Sequence, residues 1–71
     1  MRQIDEDFLR ASVNGHTETV QLLLNAGADV HARSDCAIVW ASANGHAETV
    51  QLLLAHYRKN NLKIPKGYEN G

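Results

Sequence analysis

An all-α fold, two stacked antiparallel helix-turn-helix units followed by an irregular C-terminal tail, is what this 71-residue sequence predicts. Three observations carry that reading. Residues 11–24 read ASVNGHTETVQLLL and return at 41–54 as ASANGHAETVQLLL, identical at twelve of fourteen positions. The period of thirty residues lies in the range that marks stacked-repeat architectures. Within each copy the apolar residues fall at helical spacing, and an Asn-Gly pair interrupts them at the same place.

The first helix is expected from Asp5 to Val13. Asp5 is expected as its N-cap, with Glu6 and Asp7 suited to the positive end of the helix dipole. Phe8, Leu9, Ala11 and Ser12 supply its inward side. Asn14-Gly15 ends it, because both residues tolerate the left-handed conformation, and so short a stop sends the next helix back antiparallel.

The second helix runs from Thr17 to Ala26. Val20, Leu23 and Leu24 form one stripe with Leu22 on its shoulder, while Glu18, Gln21 and Asn25 face water. Gly27 ends it. Residues 28–34 (ADVHARS) lack a helical pattern and read as an extended turn, after which Asp35 is expected to cap the third helix as Asp5 caps the first.

The second unit repeats the plan. Cys36 to Ala43 forms a helix with Ile38 in the place of Phe8, and Asn44-Gly45 turns the chain. Ala47 to about Tyr57 forms the last helix, with Val50, Leu53 and Leu54 inward. Tyr57 stands where Gly27 stopped the first unit, so the helix is expected to run on by a turn until Asn60-Asn61. The units therefore span about 5–34 and 35–57, and residues 58–71 form a basic tail in which Pro65 and Gly67 oppose regular structure.

Composition narrows the function. The net charge is −1 with 21% charged residues, which exerts no bulk pull towards nucleic acid. The signs are uneven: Asp5, Glu6 and Asp7 make an acidic head, and Arg58, Lys59, Lys63 and Lys66 a basic tail. No apolar run approaches the roughly 20 residues of a membrane span, and the N-terminus lacks the apolar core of a signal peptide. Cys36 is the single cysteine, so an intracellular, cytoplasmic setting is expected.

The motif Asn14-Gly15-His16, then Leu22-Leu23-Leu24 running into NAGADVHA, resembles an ankyrin repeat. Asn44-Gly45-His46 and Leu52-Leu53-Leu54 match again, so the resemblance covers residues 5 to about 57. Two departures stand out. The usual period is about 33 residues, and the family's Thr-Pro-Leu-His gives way to Glu6-Asp7-Phe8-Leu9 and Cys36-Ala37-Ile38-Val39. A 30-residue form with an ASxNGH core looks like the ankyrin arrays of large DNA viruses, with a shortened hairpin between units. A tetratricopeptide repeat fits worse, since its period is 34 and it has no GADV-like turn.

Catalytic and metal chemistry find little support. His16 and His46 recur in register, which points to a structural part in each turn. Cys36, His31, His46 and His56 can be gathered on paper into a zinc site, but their spacings match no zinc-ligand pattern. Cys36 as a nucleophile would need a base and an orienting group around it. No Gly-rich phosphate loop is present, and no paired carboxylates stand in a cleft-forming context. The chain is expected to be non-enzymatic, without cofactor or metal.

The resemblance implies a protein-interaction module whose partner meets the hairpin tips and the first-helix face. Here these are Arg10, Val30, His31, Arg33, Ser34 and Trp40. Trp40 corresponds to Arg10, and a position that accepts Arg in one unit is at least partly exposed, which makes Trp40 the candidate anchor. Trp40 lying across the neighbouring unit is the competing structural reading. A self-assembling or capping piece is the alternative function, and nucleic-acid or acidic-surface binding through the basic tail a weaker one. Repeat units bury their apolar faces against neighbours and normally number at least about three. Cover from the tail (Leu62, Ile64, Tyr68) and from a second chain is therefore expected, making the protein a homo-oligomer, most simply a dimer.

Overall fold

The computed structural model describes residues 1–68. It contains α1 (Gln3–Val13), α2 (Thr17–Asn25), α3 (Ala32–Ala43) and α4 (Ala47–Lys59), and no strand among the described residues. α1 packs on α2 and on α3, α3 on α4, and α2 on α4, so the helices form two layers of two. No helix among the described residues is long and apolar enough to cross a membrane.

Each hairpin turn is built alike. After α1 the Gly15 N–H donates to Ser12 O (3.2 Å) and the His16 N–H to Ala11 O (2.9 Å). After α3, Gly45 and His46 make the same bonds to Ser42 and Ala41 at 3.1 and 2.9 Å. This pair of bonds requires positive φ at the residue after the cap, and Gly15 and Gly45 supply 71° and 77°. α4 ends with the same pattern on Asn61 (φ 53°), as the Asn60-Asn61 stop predicts.

The core runs through both units. Phe8, Val20, Ala37, Ile38, Leu53 and Tyr57 are wholly buried, and Leu62, Ile64 and Tyr68 of the tail are half-buried against them. The hydroxyls of Thr17 and Thr49 meet at 2.7 Å across the units. Burying this much of so short a chain still leaves little stability in reserve, since a domain of this size buries only about 60% of its unfolded surface.

Three expectations about the helix starts and the connection are corrected. α1 begins at Gln3, two residues before Asp5, with Arg2 at the cap position. Asp5 is buried and serves the connection instead: it accepts from the Asp29 N–H at 2.8 Å and from the Arg2 guanidinium at 2.9 and 3.1 Å. Arg2 donates onward to Gly27 O at 3.1 Å, so one ion pair ties the chain start to the end of α2.

The connection is not extended. A tight turn closes with Ala32 N–H on Asp29 O, and Arg33, Ser34 and Asp35 then form one left-handed turn (φ 53°, 56° and 66°). Left-handed backbone costs an L-residue roughly 1–2 kcal/mol. Asp35 is therefore not a helix cap. Its carboxylate accepts from Tyr57 OH at 2.6 Å and pairs with His31 Nδ1 at 2.6 Å, which holds the turn in place. A period of thirty leaves too few residues for a protruding hairpin, and the chain reverses in this coil.

Candidate protein-interaction surface

α1 and α3 lie side by side, and between them runs a groove of about 440 Å³. Arg10, Arg33 and Trp40 line it together with Met1, Glu6, Leu9 and Val13. Leu9 is buried, whereas Trp40 is 43% exposed and Met1 61% exposed. Arg10 lies 3.9 Å from Asp7 with both side chains well exposed, a pair that water screens and that leaves the guanidinium available. An aromatic face beside two arginines and an apolar floor suits a partner carrying an apolar side chain and an acidic group.

Three of the six residues singled out in the sequence thus meet in one groove. The other three do not join it. Val30 is 3% exposed and belongs to the core, because the tight coil turns it inward; it is withdrawn from the surface. Ser34 is exposed on the left-handed turn. His31 is half-buried, paired with Asp35 and packed on the Tyr57 ring at 5.3 Å between centroids.

Tyr57 was not legible as a partner of Asp35 and His31. Its one sequence signal is that it replaces Gly27 in register. Burial, followed by the hydrogen bond to Asp35, pushes its phenol well above the ordinary tyrosine range. The phenol therefore stays protonated and serves as a fixed donor. Met1, Glu6 and Val13 also escaped notice as groove residues; nothing in their spacing marks them.

Among the described residues, no three His, Cys, Asp or Glu side chains gather where they could hold a metal ion. Cys36 is a half-buried free thiol. The family model described as ankyrin repeats (3 copies) matches the chain over residues 8–66. No curated protein and no solved structure matches the chain. The matched family is a non-catalytic repeat fold generally associated with protein–protein interaction. Its model spans most of the sequence, and its stacked helix pairs are those of the structure: the chain belongs to the ankyrin-repeat family.

Proposed function

We propose that the protein is a non-enzymatic interaction module that takes a protein partner in the α1–α3 groove, with Trp40 as anchor and Arg10 and Arg33 beside it. The observation that carries this is the half-exposed Trp40 over a groove, where close packing on the neighbouring helix would have hidden it. The single cysteine supports a cytoplasmic setting, and the 30-residue ASxNGH form supports a likeness to viral ankyrin arrays within this reading.

Trp40 is the single tryptophan, so its fluorescence reports the groove directly. In the monomer the indole should be quenched by iodide and emit to the red of a buried indole. Partner capture from a lysate should survive raised salt and be lost in Trp40→Ala. Capture that disappears with salt and persists in Trp40→Ala belongs to phosphate binding by the tail instead. A blue-shifted, unquenchable Trp40 in a proven monomer overturns the proposal.

A further inference from the structure

The units of this chain meet through a face that occurs twice, once covered and once open. In the second unit it carries Ala37, Ala41, His46, Thr49 and Leu53. Ala37, Ala41 and Leu53 are wholly buried, and Thr49 is bonded to Thr17. His46 Nε2 donates to Val13 O at 3.0 Å. Its ring lies so close over Gly15 that a Cβ there would stand 2.5 Å from Nδ1.

Thirty positions earlier the same face reads Asp7, Ala11, His16, Thr19 and Leu23, and these, with Arg10 and Asn14, line a shallow groove of about 320 Å³. His16 and Thr19 are exposed there, and Leu22 beside them is 64% exposed. The receiving side has a partly open copy too: Leu54 is buried and Val50 half-buried, but Gly45 is exposed. Gly45, the counterpart of Gly15, has no described atom within 4 Å of where a Cβ would stand. It opens on a cavity of about 740 Å³, whose walls include Val50, Leu54, Arg58 and Tyr68 of the tail.

We propose that the leading face of one copy docks on the trailing face of a second copy, repeating between molecules the contact that the units make within one. His16 then covers Gly45 and donates to Ala43 O, as His46 covers Gly15 and donates to Val13 O.

The repeat departs from itself in a complementary way. Ala28 and Ala37, both in the core between the units, have Arg58 and Asp7 as their register counterparts. Arg58 lies on the trailing face and Asp7 on the leading one. Asp7 accepts from Gln3 Nε2 at 2.9 Å and lies 3.9 Å from Arg10, both exposed contacts. Burying its charge would still carry a cost; Arg58 across the join offsets that cost and gives the join a direction. Thr19 meets Ala47 and loses the bond that Thr49 makes to Thr17, so the contact between copies is weaker than the one within. Such a head-to-tail contact leaves a free face at each end, and growth does not stop at two.

Sedimentation of the purified chain over a wide concentration range tests this. Average mass should rise through several species, and added salt should weaken the association. Asp7→Arg and Arg58→Asp both lie on exposed or half-exposed positions, and each should raise the self-association Kd about tenfold or more. Mixed one to one, the two variants should regain association, because both joins between unlike variants again set an aspartate against an arginine. Growth should then resume with the variants alternating. A wild-type chain that stays monomeric throughout, or stops at a closed dimer, overturns the proposal. So does association that ignores both charge reversals and salt.

Discussion

Two helices of this molecule carry the same six residues, TVQLLL, and live in different surroundings. In α4 Leu53 is wholly buried and Leu52 half-buried; in α2 their counterparts Leu23 and Leu22 are half-buried and 64% exposed. Thr49 is buried and bonded, whereas Thr19 is exposed. His46 bridges to the turn before it, whereas His16 has no described unit before it to reach. Helix periodicity sets which residues share a stripe. The neighbouring unit decides how deep that stripe is buried.

The largest test of this asymmetry is truncation of the equivalent leucines. Leu53→Ala should cost about 2–5 kcal/mol, the range for a wholly buried leucine. Leu23→Ala should cost less, toward the lower end of that range or below it, because part of its side chain is already in water. Both are measured by denaturant unfolding at a concentration where the chain is monomeric. Equal losses would mean that the two units are equally covered. A rise in the Leu23→Ala cost with concentration would point to cover from another copy.

The turn glycines sharpen the comparison. Gly45→Ala forces a Cβ into positive φ and should cost roughly 1–2 kcal/mol. Gly15→Ala carries that cost and also drives the His46 ring from its seat, so it should be worse by about 1 kcal/mol. Equal destabilisation would show that the His46–Gly15 contact contributes nothing. A stabilising effect of either change would argue for one continuous helix in place of the hairpin.

A third pair separates the histidines. His46→Ala removes a half-buried ring and its bond to Val13 O and should cost about 1 kcal/mol. His16→Ala, at an exposed site, should leave the monomer's melting temperature unchanged. Similar shifts for both would place the role of the recurring histidine within its own turn, not between units.

How much of this was legible follows the same division. The four helices, the Asn-Gly stops and the shared Phe8/Ile38 core position came from patterns local to the chain. The exposure of Trp40 followed from its exchange with Arg10. The roles of Asp5 and Asp35 did not, because an aspartate before a helix has a local use and a distant one. Here partners separated by 24 and 22 residues, Asp29 and Tyr57, claimed the carboxylates. Val30 escaped for a similar reason: β-branching favours an extended strand, but the thirty-residue period left no room for one.

The smallest effect distinguishes Asp5 from a simple helix cap. The hydrogen bonds from Arg2 and from the Asp29 backbone hold its carboxyl below the usual carboxylate range. A depressed folded-state pKa contributes stability that is present above the unfolded value, about 3.9, and is lost as pH falls through the folded one. Asp5→Asn keeps an oxygen for the Asp29 N–H and loses the charge that pairs with Arg2. The variant should therefore be less stable than wild type at neutral pH, and the two stability curves should converge as the solution is acidified below about pH 4. Much of the Arg2 side chain is exposed, so the gap should also narrow with salt. Curves that remain parallel to the lowest pH at which the chain folds would mean that the Asp5 charge has no part in joining the chain start to the connection.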